Sequence, residues 1–293
     1  MYKLILALLL TITTANAFDQ DRAFMLLKAQ VAFGPRVPNS VAADSCREFL
    51  RRELSFWCDT AWVQPFTYNS ADRGTTLKLY NIVGQINPQS KNRVMLCGHW
   101  DSRPMADRDP DPKKQNLGLP AANDGAGSIA ILLEIARQLS LKPVPFGVDF
   151  VLFDGEDYGR EGVNEDYLIG SRHFARTQPI PVPRYGILLD LVSEKDLRIP
   201  YEMHSFTYAR AVLDKVFEAA EREKCMSFVR EPGPAVIDDH IPFLEKGVPV
   251  IDLIDMEYKY WHTMEDTPDK CSPFSMSEVG RTVLSVLRSE KFQ

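Results

Sequence analysis

What this sequence lacks removes whole classes of function. It has no long basic run and a formal net charge of -6 over 293 residues, so the electrostatic footprint of a nucleic-acid binder is missing. Beyond residue 17, no apolar stretch is long enough to span a bilayer. No segment repeats and none is of low complexity, which argues against a solenoid or a disordered tether. Cysteine is scarce. The five present are Cys46, Cys58, Cys97, Cys225 and Cys271, and no two share the close spacing of a zinc knuckle. An odd number also leaves at least one thiol unpaired within a monomer. Cys97 lies in the apolar run "RVMLCGHW" and is expected as a small buried side chain. What remains, 45% hydrophobic and 25% charged, is a globular balance with enough length for a large core.

The first 17 residues, "MYKLILALLLTITTANA", have the build of an export signal. Lys3 supplies a positive start, Leu4 to Ile12 an apolar run too short to span a bilayer, and Ala15 to Ala17 a small-residue cleavage site. The mature chain is expected to begin near Phe18 and to work in the periplasm or outside the cell, where disulfides are permitted. Residues 18–293 show no shift in composition and are expected to form one catalytic domain.

Along that domain, apolar patterns alternate between two periods. Asp19 to Val31 and Asn39 to Leu54 have helical spacing, with Asn39 or Ser40 placed to cap the second helix. "TAWVQPFTY", "LKLYNIVGQI" and "RVMLCGHW" are strand-like, and the short links between the early pairs imply an antiparallel portion. "GSIAILLEIARQL" is a helix apolar enough to be buried on more than one side. "GVDFVLFD", "YGILLDLV" and "VPVIDLI" are continuous apolar runs, as central strands covered on both faces require. "SFTYARAVLDKVFEAAERE" and "SMSEVGRTVLSVLRSEKF" are amphipathic helices. Together these predict an α/β fold, a single layered α/β/α domain with a mixed, centrally parallel β-sheet. Two stretches, "RPMADRDPDPKKQNLGLPAAND" and "YGREGVNEDY", have no core pattern, and irregular loops of that length are usually functional or mobile.

In such sheets, ligands bind at the carboxyl ends of the strands. Those ends carry an unusual load here. His99 and Asp101 follow "VMLCG", Glu156 and Asp157 follow "VLFDG", and Asp190 ends "GILLD". Asp124 precedes the apolar helix, Asp238, Asp239 and His240 precede the last core strand, and Trp261 and His262 follow it. Each has a structural explanation when taken alone. Asp124 suits a helix cap, Asp101 could orient His99, and Asp239 with His240 could brace the short helix in "HIPFLEKG". His173 and His204 have no acids clustered near them in sequence and are expected to be structural. So many carboxylates on one rim would repel, and a divalent cation removes that repulsion. Histidine with carboxylates and no thiolate suits zinc with an open position. Asp157 is then expected to face the metal. The adjacent Glu156 is held close but unbound, as a general acid and base, with Asp238 placed to share its proton.

The motifs resemble the zinc exopeptidases of the aminopeptidase type and, among them, the glutaminyl cyclases. The resemblance runs from about residue 33 to 270 through "FGPRVPNS", "GHWDSRP", "AANDGAGSIAILLEIARQL", "FDGED", "GSRHFA", "ILLDLV", "DDHIPFLEKGVPVIDLI" and "WHTMEDTPD". It implies one zinc per chain held by Asp124, Asp157 and His262. Glu156, Asp190 and Asp238 would be the catalytic group, with Glu156 moving the proton and Asp190 meeting the substrate's α-amine. Trp261 would be a substrate wall. The substrates implied are peptides or proteins with N-terminal glutamine, and the chain is expected to act as a monomer. The aminopeptidase alternative uses the same rim with two zincs, His99 and Asp190 holding the second. Several positions depart from the animal cyclase pattern. Asp157 replaces Glu, Asp252 replaces His, and Gly125 replaces Ser. The loop after Asp157 has no Trp, leaving Tyr158 or Tyr167 as a substitute wall.

Overall fold

The computed structural model describes residues 18–292. The expected export signal, residues 1–17, lies outside them. Six strands form the main sheet: β1 (Thr60–Asn69), β2 (Thr76–Ile86), β3 (Arg93–His99), β4 (Gly147–Phe153), β5 (Tyr185–Asp190) and β8 (Val250–Ile254). Their spatial order is β1-β2-β4-β3-β5-β8. The β1/β2 and β2/β4 pairs are antiparallel, and β4, β3, β5 and β8 run parallel. The mixed, centrally parallel sheet expected from the apolar runs is therefore present.

Alternation along each central strand feeds two cores. Val94, Leu96, Phe150, Leu152, Ile187 and Leu189 pack into the larger one. It also takes residues of α1 (Gln20–Val31), α2 (Val41–Trp57), α3 (Ser128–Leu141), α6 (Arg210–Glu223) and α8 (Pro273–Ser289). Met95, Cys97, Val151, Phe153 and Leu188 point the other way, against Phe174 of α4 (Ile169–Thr177) and Phe243 of α7 (Ile241–Leu244). All seven residues of β3 and of β4 are buried, which is why neither shows an apolar–polar alternation in sequence. Along α3, every residue from Ser128 to Ala136 is buried. Its one acid, Glu134, is held by Arg22, Arg137 and the Asp19 backbone N–H.

Capping sets the helix starts. The Asp19 carboxylate accepts from Arg22 N–H, and Ser40 rather than Asn39 caps α2 by accepting from Ala43 N–H. Asn39 instead accepts from Lys78 N–H, tying this loop to β2. The helix predicted over 205–223 is broken. α5 (Met203–Tyr208) ends and α6 begins at Ala209, where φ is -135° and ψ 30°. Ser205 anchors α5 to the sheet by accepting from Asp252 N–H, and Glu202 caps it. A two-stranded parallel sheet, β6 (Ile199–Tyr201) with β7 (Phe228–Pro232), lies outside the expected strands. Short strands carrying Pro200 and Pro232 leave no periodic signal. All five cysteines are free thiols in the described chain, and Cys97 is fully buried as expected.

Candidate active site

The ends of the parallel strands converge. β3 delivers His99, β5 delivers Asp190, and β4 leads into a turn that presents Glu156 and Asp157. That turn needs Gly155, whose φ is +70°. Asp101 fixes its far side, one carboxylate oxygen accepting from Glu156 N–H and the other from Asp157 N–H. The same carboxylate lies 3.5 Å from His99 Nδ1 and so orients the imidazole.

Asp124 comes from the irregular turn Ala122–Gly127 that leads into α3. Asp266 holds this turn from across the rim, accepting from Asn123 N–H at 2.9 Å and Asp124 N–H at 3.2 Å. Gly125 is required here for space. A Cβ at that position would lie 2.4 Å from the His99 carbonyl oxygen and 2.7 Å from its Nε2.

Two groups of ligand atoms result, each with all its atoms within 4.8 Å of one another: Asp124, Asp157 and His262, and His99, Asp124 and Asp190. Asp124 belongs to both. Its Oδ1 is 3.1 Å from His99 Nε2 and its Oδ2 is 3.8 Å from His262 Nε2. His262 Nε2 is 3.5 Å from Asp157 Oδ2, a buried oxygen with no hydrogen-bond partner among the described residues. An acceptor stranded beside an imidazole and another carboxylate fits a cation site, and the His/Asp/Asp donor set fits zinc.

The other candidates surround the same cavity of about 1160 Å³, which Glu156, Asp190, Asp238 and Trp261 all line. Asp238 Oδ1 accepts from Asp239 N–H, while its Oδ2 has no hydrogen-bond partner among the described residues. No hydrogen bond joins Glu156 to Asp238 or Asp190 among the described residues, and the acids meet through their fields. Trp261 lies with its ring centroid 4.0 Å from that of His262. Tyr167 lines the cavity, whereas Tyr158 packs beneath it with Leu77, Leu79 and Ile169. His173 stacks on Phe66, away from the acids. His240 makes no side-chain cap to α7, and its Nε2 faces Glu202 at 3.4 Å. Asp252 lies fully buried behind Asp238, 3.9 Å from His240 Nδ1.

Burial drives the ionisation pattern. It pushes the Glu156 carboxyl well above the usual range, and the charges of Asp157 and Asp238 push it further. It likewise raises Asp238, with Asp190 and Asp239 adding to the shift, and raises Asp157 to about 6 against the pull of His262 and Arg103. For Asp124, burial acts upward too, but the hydrogen bond and charge of His99 outweigh it and leave the carboxyl low.

Three participants lie outside the expected set. Arg103 Nη1 donates to Asp157 Oδ1 at 2.6 Å, and its other nitrogens grip Asp107. Asp107 in turn faces His262 Nδ1 at 3.4 Å. Asp266 supports the Asp124 turn. Arg103 ends the motif "GHWDSRP", but nothing in a linear sequence pairs it with a residue 54 positions on.

The model of peptidase family M28 matches residues 81–287. The chain belongs to peptidase family M28. The glutaminyl-peptide cyclotransferase of Gloydius blomhoffii, similar to this M28 chain, is 27% identical over 271 residues, covering 80% of the chain and 72% of the relative. The crystal structure of Bacteroides thetaiotaomicron glutaminyl cyclase bound to N-acetylhistamine superposes with a TM-score of 0.90 at 35% identity, covering 94% of this chain and 99% of that one. A Zn-dependent exopeptidase from Parabacteroides distasonis gives a TM-score of 0.90 at 36% identity, with coverage of 94% and 99%. The likeness to glutaminyl cyclases on a zinc-exopeptidase fold therefore holds in both sequence and structure. Among the described residues, no helix is long and apolar enough to cross a membrane.

Proposed function

We propose that this M28 protein is a zinc-dependent glutaminyl-peptide cyclotransferase that converts N-terminal glutamine to pyroglutamate and releases ammonia. The observation that carries the reading is the placement of Glu156, a carboxyl that burial and the neighbouring Asp157 push well above the usual carboxylate range, in the same cavity as the Asp124, Asp157 and His262 cluster. The likeness to named glutaminyl cyclases supports it. One zinc per chain would sit on Asp124, Asp157 and His262. When bound, it would supply Lewis acidity to the side-chain amide carbonyl of the substrate.

The remaining chemistry belongs to the chain and the substrate. The attacking α-amine is already tethered to the carbon it attacks, so little entropy is lost on closure. Asp190, at the end of β5, holds that amine. Glu156 removes a proton from it and returns one to the departing nitrogen, which leaves as ammonia. Asp238 biases Glu156 towards its protonated form through their mutual repulsion. Trp261 packs along the glutamine side chain. Asp107 keeps the imidazole of His262 oriented, and Arg103 does the same for Asp157. Residues 18–293 would act as one monomeric domain on peptides or proteins, after export to the periplasm or the medium directed by residues 1–17.

The second ligand group, His99 with Asp124 and Asp190, is the observation that favours a dinuclear aminopeptidase instead. Mass measurement separates the two. A peptide beginning with glutamine should lose one ammonia and keep its length; loss of the first residue would establish the aminopeptidase.

A further inference from the structure

We propose that the mouth of the cavity selects peptides carrying an acidic side chain directly after the N-terminal residue. The inference rests on the cyclase reading above and specifies its substrate class. The cavity has two chemical halves. Asp124, Asp157, Asp238 and His262 are buried and form the floor. Arg108, Arg160 and Arg172 are exposed and Arg73 is half-buried, and these four line the mouth. The carboxylates among them are few. Glu161 lines the mouth, and Asp72 is shared, 2.6 Å from Arg160 and 3.8 Å from Arg73. Arg108 and Arg172 have no carboxylate partner among the described residues.

Arg108 is the informative one. Its guanidinium lies over the Trp261 ring, 4.4 Å from the centroid. That contact parks a cation on the aromatic wall between floor and mouth. Arg103 differs, being buried and committed to Asp157 and Asp107. At about 1160 Å³ the cavity exceeds what one glutamine fills, so it has room for the residues that follow. A peptide entering amino end first sets its α-ammonium among the floor acids. Successive residues rise by about 3.3 Å each in an extended chain, so the side chain that follows the N-terminal residue is the first carried away from the acidic floor towards the arginine-lined mouth. Guanidinium is the group that pairs with carboxylate through two parallel bonds.

The test uses the full-length zinc-loaded protein and three peptides, Gln-Glu-Phe-Ala, Gln-Ala-Phe-Ala and Gln-Lys-Phe-Ala. At low salt, kcat/KM should be about ten-fold higher for the glutamate peptide than for the lysine peptide, as several exposed charge pairs allow. The difference should lie in KM and should largely vanish near 1 M salt, where screening is strong. Calorimetric binding to the Glu156→Gln variant should show the same order. Arg108→Glu with Arg172→Glu should reverse the preference, and Arg108→Lys should keep it. Equal rates for the three peptides, a preference for lysine, or a preference indifferent to salt and to the double reversal would each overturn the proposal and leave the cyclase reading intact. Absence of ammonia from all three would instead remove the cyclase reading and this inference with it.

Discussion

At the amino ends of β3 and β4, Arg93 and Asp149 are fully buried, and neither leaves a buried polar atom without a partner. Arg93 Nε and Nη2 grip the two Asp149 oxygens at 2.7 and 2.5 Å, and Nη1 donates to the Asn87 and Ser90 carbonyls. Gln85 completes the carboxylate. Towards the carboxyl ends of the parallel strands and in the loop before β8, Asp157 Oδ2 and Asp238 Oδ2 are buried with no hydrogen-bond partner among the described residues, as are both oxygens of Asp239 and of Asp252 within β8. One sheet thus carries buried charge in two ways. Where a counter-charge is built into the chain, the charge serves the fold. Where acids face acids, the protein accepts a cost that only a ligand or a reaction explains.

Substitutions at the two ends should therefore separate activity from stability. The largest expected effect is at the acidic end. Glu156→Gln should lower turnover by a factor on the order of 10²–10⁴, the range for losing a general acid–base group. Its melting temperature should hold or rise, and zinc measured by elemental analysis should remain. Equal loss of zinc and activity would contradict the role given to Glu156. At the opposite end, Arg93→Ala should cost about 3–5 kcal/mol of unfolding free energy in denaturant titrations, because it strands Asp149. The variant that remains folded should keep its activity per molecule. A smaller effect of opposite sign is expected from Asp238→Asn in metal-free protein. Removing one of several mutually repelling acids should raise stability by about 1 kcal/mol, while turnover of the zinc-loaded variant falls. A loss of stability there would show that Asp238 is held by the fold rather than by function.

The same contrast explains what could be read from residues alone. Central strands were legible because burial on both faces demands uninterrupted apolar runs, as in Val148 to Phe153. The strand-end rule then located His99, Glu156, Asp157 and Asp190 together without any knowledge of contacts. His262 and Asp238 stand in the loops flanking β8, and their place beside that strand put them on the same rim; the motif resemblance then marked His262 as a metal ligand. Arg103 and Asp266 went unseen because their partners at the site lie 54 and 142 positions away, and such pairing leaves no local trace; Asp107 pairs locally with Arg103, but its contact with His262 crosses the fold. The break at Ala209 was hidden for a related reason. No Gly or Pro marks it, and the helix is interrupted where Ser205 ties α5 to β8.

Glu202 tests the comparison at its finest grain, because it lies near the acidic end and yet is fully partnered. Its carboxylate accepts from His204 N–H, Ser205 N–H, the Ser205 hydroxyl and Val236 N–H. These bonds tie the start of α5 to the loop that carries Asp238. Burial alone would raise this carboxyl, but the nearby His240 imidazole and these hydrogen-bond donors prevail and lower it from 4.5 to about 2. A depressed carboxyl stabilises the fold above its unfolded value, and that contribution is lost as protons bind. Stability should therefore decline as pH falls from about 4.5 towards 2. In Glu202→Gln that part of the acid limb should flatten, with a modest loss of stability at neutral pH. An unchanged acid limb in the variant would show that this end of the molecule derives no stability from a satisfied charge, and the division between the two ends of the sheet would then be absolute.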